Sequence, residues 1–158
     1  ALIPIRDPEA MRQIGEDDIG RTVTLEVGGK LGGRFYRPVK VKAIVRRLGG
    51  GVYVSRSEHV KDVEENIGRA AVLEVGKIKI LITENRYLGH DPELYRHMGL
   101  EPKDAKIVVV KSPVGFRASY ESFAKAIFIL DTPGASPANL EKLEFRTAPR
   151  PLFPLEDW

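Results

Sequence analysis

Residues 106–132, KIVVVKSPVGFRASYESFAKAIFILDT, carry two unbroken apolar runs, 107–110 and 126–130, on either side of a polar link containing glycine and proline. Runs rich in β-branched residues with no polar alternation read as strands covered on both faces, the habit of parallel sheets. The stretch is therefore expected to form strand, loop, short helix and strand, a βαβ unit. Pro113 cannot donate to a ladder and should turn the chain after Ser112. Residues 116–124 can form two helical turns, with Phe116, Tyr120 and Phe123 or Ala124 at core spacing.

Open α/β sheets bind ligands beyond the carboxyl ends of their strands. Lys111, Ser112 and Arg117 fall at such an end, and Tyr120 follows on the same short helix. One reading has these residues grip a carboxylate, a phosphate or a neighbouring domain near the free N–H groups of the helix. The other has Ser112 make a turn while Arg117 pairs with Glu121 one turn on, a contact worth about 0.5 kcal/mol.

Working back toward the N-terminus, residues 91–99 (DPELYRHMG) share a grammar with residues 7–15 (DPEAMRQIG). Asp as N-cap, Pro at the first position, Glu in the first turn and Gly past the end specify a short helix in each case. Between them the period changes to two. Val23, Leu25 and Val27 alternate with Thr22, Thr24 and Glu26, and Val39, Val41, Ala43 and Val45 follow the same rule. This predicts an antiparallel meander with one wet face. Gly28, Gly29, Gly32 and Gly33 make either the hairpin connection or an anion-binding loop, although the phosphate-loop spacing is missing. Gly49, Gly50 and Gly51 are expected to turn the chain into a short strand at residues 52–54.

Residues 67–76 (IGRAAVLEVG) echo residues 19–28 (IGRTVTLEVG). Two copies are too few for a solenoid. They suggest two equivalent hairpins in one sheet or small barrel, the second turning tightly at Gly76 and Lys77. The fold class is thus mixed α/β (α+β), an antiparallel β-meander or small barrel joined to a short βαβ unit, with few short helices. Four segments divide a single domain over 1–158: a strand-helix lead-in (1–18), the β region (19–84), a helix plus βαβ unit (85–134) and an extended tail (135–158). Leu152, Phe153 and Leu155 in the tail are apolar enough to strap it onto the core or a partner.

Composition narrows the chemistry. With no cysteine there are no disulfides, thiolate metal sites or thiol nucleophiles. The three histidines, His59, His90 and His97, fit no zinc spacing; His59 beside Glu58 reads as a solvated loop residue or an acid/base pair. Because 25 basic residues face 22 acidic ones, the charge is a mixed surface and gives no nucleic-acid signature. No apolar run approaches a membrane span of about 20 residues, and a cytoplasmic protein is expected.

One order of motifs goes further: Val27-Gly28-Gly29-Lys30, then Asp91-Pro92-Glu93-Leu94-Tyr95 with Gly99-Leu100-Glu101-Pro102, then Val109-Val110-Lys111-Ser112 with Phe116-Arg117-Ala118, then Asp131-Thr132-Pro133-Gly134, and finally Arg150-Pro151-Leu152-Phe153-Pro154-Leu155. This order resembles the C-terminal domain of the MlrC-like family of zinc metallopeptidases, named for degrading the linearised cyanobacterial toxin microcystin. The resemblance covers nearly the whole chain. It implies that zinc is held in a larger N-terminal domain or subunit, with no cofactor, metal ligand or catalytic residue here. It also implies a peptide or carboxylate substrate, with Lys111, Ser112, Arg117 and Tyr120 facing substrate or the domain interface. The abrupt N-terminal start agrees with an upstream portion lying elsewhere. Two departures stand out. Gly115 occupies a position where the family commonly has His, and Glu156-Asp157 follows the closing Pro-Leu where Asp is common. The rival expectations are an independent small-anion-binding module and a structural assembly subunit, which would form homo-oligomers through Leu152 and Phe153.

Overall fold

The computed structural model describes residues 1–33, 36–112, 115–132 and 139–157. Its centre is a curled five-stranded sheet, a half-barrel, in the order β1-β5-β4-β3-β2. The strands are β1 (Leu2–Arg6), β2 (Thr22–Val27), β3 (Val39–Val54), β4 (Glu64–Val75) and β5 (Ile78–Thr83). All neighbours are antiparallel except β1, which runs parallel to β5. Three short helices accompany them: α1 (Pro8–Arg12), α2 (Glu93–His97) and α3 (Arg117–Tyr120). The mixed α+β class read from the sequence is the class observed.

The internal echo has a direct structural meaning. Its copies lie on β2 and β4, and both pair with β3, which meets Thr22 and Glu74 on its two sides at Ile44. Gly20 and Gly68 both have positive φ, as do Gly28 and Gly76, so the copies share backbone geometry as well as letters. β2 with β3 and β4 with β5 form the two hairpins.

Side-chain alternation along the central strands builds two cores at once. Ala71 and Leu73 of β4, with Ile80 and Ile82 of β5, join Met11 and Ile14 on one face. Ala70, Val72 and Leu81 join Leu94, Tyr95 and Met98 on the other. Each buried Leu, Ile or Met contributes about 1.5–3 kcal/mol. On the β2 side the meander keeps a wet face, where Lys40 and Lys42 of β3 are exposed.

Two expectations are corrected. Residues 49–51 do not turn the chain: β3 runs through them, with a register shift between Gly50 and Val52. Gly50 (φ 118) and Gly51 (φ 87) form a bulge that bends the strand without reversing it. A Cβ on Gly50 would collide with the Gly68 carbonyl oxygen, so glycine here lets β4 approach.

Among the described residues of 106–132 the βαβ unit is also absent as such. Residues 107–109 make one parallel bridge to β1, through Leu2 N–H to the Ile107 carbonyl (2.9 Å) and Val109 N–H to the Leu2 carbonyl (2.9 Å). Residues 126–130 make no ladder bond among the described residues, and Phe128 is 82% exposed. The unbroken apolar composition suggested strands covered on both faces, but neither run forms a strand, because composition does not identify what would cover it. The intervening helix is one turn shorter than expected, with Phe116 and Tyr120 buried. Pro113 and Pro133-Gly134 lie outside the described residues. In the tail, Asn139 caps a single 3-10 turn at Leu140–Lys142; of the three apolar residues expected to strap the tail down, Leu152 and Leu155 are half-buried and Phe153 is exposed.

Candidate functional site

Three chain segments meet at Gly115. A Cβ built there would lie 3.5 Å from Ser112 Oγ, 3.6 Å from His59 Cδ2 and 3.6 Å from His90 Cγ. The first belongs to the link after residues 107–110, the second to the 3-10 turn Glu58–Val60, and the third to the loop ahead of α2. His59 is exposed, whereas His90 is buried with its Nε2 unpartnered among the described residues. Gly89 (φ 72) lets this loop approach the Lys111 carbonyl, because a Cβ there would sit 3.1 Å from that oxygen.

Asp91, adjacent to His90, organises the floor. Its Oδ2 accepts from Ser55 Oγ (2.6 Å), Arg56 N–H (2.7 Å) and Ser57 N–H (3.0 Å), and its Oδ1 accepts from Glu93 N–H (2.8 Å). Burial pushes the carboxyl up, but these four donors outweigh it and hold Asp91 below its ordinary value. The carboxylate thus ties the end of β3 to the start of α2. Tyr53 and Tyr120 lie close to it. Burial, then Glu65, raises the Tyr53 phenol, and burial, then Asp91, raises that of Tyr120, so both remain protonated hydrogen-bond donors. The Tyr120 hydroxyl and Ser57 Oγ, like His90 Nε2, are buried polar atoms without partners among the described residues. Such a concentration of unpaired polar atoms is unusual in a folded interior.

The four residues expected at a site are placed unequally. Ser112 is half-buried at the Gly115 corner, and Tyr120 is buried. Lys111 is exposed. Arg117 is also exposed and donates to Glu121 Oε1 at 2.6 Å, the pairing offered as the alternative to a ligand grip. At half exposure this pair contributes little to stability. The four-residue α3 is too short to offer a strong N-terminal anion site. His59, read from the sequence as a solvated loop residue or an acid/base pair with Glu58, and His90, read as fitting no zinc spacing, were not expected beside Ser112, and no linear motif unites the three.

The glycine loop does meet an anion, which is the protein's own Asp7. Gly28 N–H donates to Asp7 Oδ2 (2.9 Å), and Lys30 Nζ lies 3.0 Å from the same oxygen. Elsewhere, a shallow groove holds Arg56, Arg96 and His97. Arg96 is committed to Glu93 and Glu101, and His97 Nε2 donates to the Gly50 carbonyl at 2.8 Å.

The family model for the MlrC C-terminus matches residues 1–147. This chain belongs to the MlrC C-terminal family. Among curated proteins, the MlrC C-terminal chain is 25% identical over 153 residues to Microcystinase C of Sphingomonas sp., covering 97% of this chain and 29% of that protein. Among solved structures it is similar to a "Putative metallopeptidase" from Mesorhizobium sp. BNC1, with a TM-score of 0.84 and 27% identity, over 99% of this chain and 31% of that one. The chain thus spans under a third of the length of these relatives. No group of three or more His, Asp or Glu side chains is placed to hold a metal ion among the described residues. His59, His90 and Ser112 do not fit a zinc site, since two imidazoles and a hydroxyl lack the third strong ligand that such sites use. No helix among the described residues is long and apolar enough to cross a membrane.

Proposed function

We propose that this chain is the C-terminal domain of a cytoplasmic zinc-dependent peptidase, non-catalytic alone, and that the Gly115 corner forms one wall of the substrate cleft. The observation that carries the reading is the meeting of Ser112, His59 and His90 at a residue with no side chain, above a floor fixed by Asp91. The Ser112 hydroxyl can donate to a substrate carboxylate, the two imidazole rings wall the same corner, and the missing Cβ keeps the approach to them open. Lys111 adds a nearby cation, and Tyr120 serves as a buried donor behind it. Arg117 serves the interface with the preceding domain, exchanging its pairing with Glu121. On this reading, the water-activating chemistry of zinc belongs to that preceding domain.

The relatives support the reading through their printed names and their greater length. The test is zinc analysis and peptidase assay of the 158-residue chain alone and joined to its preceding domain. Zinc and activity are expected only in the joined protein. Stoichiometric zinc with peptide cleavage by the isolated chain would overturn the proposal.

A further inference from the structure

Residues 126–130 (AIFIL) have the composition of a strand buried on both faces, yet Phe128 is 82%, Ile129 59% and Leu130 71% exposed. Successive side chains of an extended segment point to opposite sides. In an extended conformation residues 128–130 would present large apolar groups on both sides, and all three are exposed here. Its backbone N–H and carbonyl groups also make no ladder bonds among the described residues. An exposed apolar segment with an unpaired backbone is a template for strand addition.

We infer that residues 126–130 are an interdomain strand, paired with and covered by the polypeptide that precedes this domain in its longer relatives. Two observations choose that occupant. The matched region is a C-terminus amounting to 29% and 31% of the relatives, so over two thirds of each protein remains to be packed against it. Beside β1, residues 107–109 bridge to Leu2 and leave a second apolar side chain open, since Ile107 is 62% exposed. The segment is also tethered to the candidate site: Ala124 N–H donates to the Tyr120 carbonyl at 2.9 Å, two residues before the run begins. Docking of the strand would therefore fix α3 and the corner in front of it. This inference rests on the reading of the chain as one domain of a larger protein.

Hydrogen-exchange mass spectrometry of the full-length protein and of the 158-residue chain tests it. In the full-length protein the amides of residues 126–130 should exchange at least about 100-fold more slowly than in the 158-residue chain, as ladder pairing requires. Ile129→Lys in the full-length protein should abolish that protection while β4 and β5 stay protected. Fast exchange in both proteins overturns the inference, as does slow exchange in both. Protection of the short chain that grows with its concentration also overturns it, by assigning the strand to a second copy. Zinc and peptidase activity in the isolated chain would sink the functional reading while leaving this exchange pattern unchanged.

Discussion

Lys30 and Asp7, far apart in sequence, form an ion pair at 3.0 Å in which the carboxylate is almost wholly buried and the lysine side chain is only 14% exposed. The same Asp7 accepts from Ala10 N–H and caps α1, and it accepts from Gly28 N–H at the tip of β2. One carboxylate therefore fastens the helix to the first hairpin. Removing one member of a buried pair leaves the other charge uncompensated. Asp7→Ala should cost about 3–5 kcal/mol in urea denaturation, combining that loss with the loss of the cap. Lys30→Met should cost less, because Lys30 can turn its partner over to two remaining N–H donors. A double-mutant cycle should give a coupling of at least about 1 kcal/mol.

Gly50 and Gly51 separate two effects of glycine. Both have positive φ, but a Cβ on Gly50 meets the Gly68 carbonyl, whereas one on Gly51 meets open space. Gly51→Ala should lose about 1 kcal/mol from backbone strain alone. Gly50→Ala must also push β4 away, and should lose at least about 3 kcal/mol with a correspondingly larger fall in Tm. Equal losses in thermal melts would show that the bulge, and not the close approach, sets the requirement.

Asp91 predicts an acid-sensitive floor. Its carboxyl is held below the ordinary 3.8 in the folded protein, so the folded state binds fewer protons than the unfolded state as pH falls through that range. The stabilisation is complete above the ordinary value and disappears as pH falls through the lower folded value. Asp91→Asn should remove this part of the pH dependence below about pH 4, as read from urea midpoints over a pH series. A profile identical to that of the unmodified protein would show that other carboxylates carry the acid transition.

The Gly115 corner is tested by binding and rate together. In the full-length protein, Ser112→Ala and His59→Ala should each raise KM about tenfold or more with kcat little changed, the signature of lost uniform binding. Gly115→Ala has ordinary van der Waals room and no positive φ, so its stability should stay within about 0.5 kcal/mol. It should still raise KM by intruding on the carboxylate's space. Loss of kcat at constant KM in all three would place the corner in the chemistry and not in recognition.

The meander was legible because alternation at Val23, Leu25 and Val27 and the echoed glycines are local, and local rules govern hairpins. Asp7 was legible as a cap for the same reason, but its second bond to Gly28 and its ion pair with Lys30 were not, since they depend on how the hairpin folds back. The three glycines at 49–51 misled because composition marks permissiveness and leaves open whether the result is a turn or a bulge. Residues 107–110 and 126–130 misled because an apolar run demands cover without naming its source. His59, His90 and Ser112 come from three loops, so no spacing could announce their meeting at Gly115.

β1 is hydrogen-bonded on both sides from its first residues: Ala1 donates to the Lys77 carbonyl and accepts from Lys79, while Leu2 bridges to Ile107 and Val109. Any polypeptide joined ahead of Ala1 would thus run directly into a hydrogen-bonded strand of the sheet, without slack. Movement of that neighbour could not be absorbed by a swinging tether. It would have to bend the opening of β1 or carry the whole half-barrel with it, making the sheet a rigid handle by which one domain sets the angle of the other.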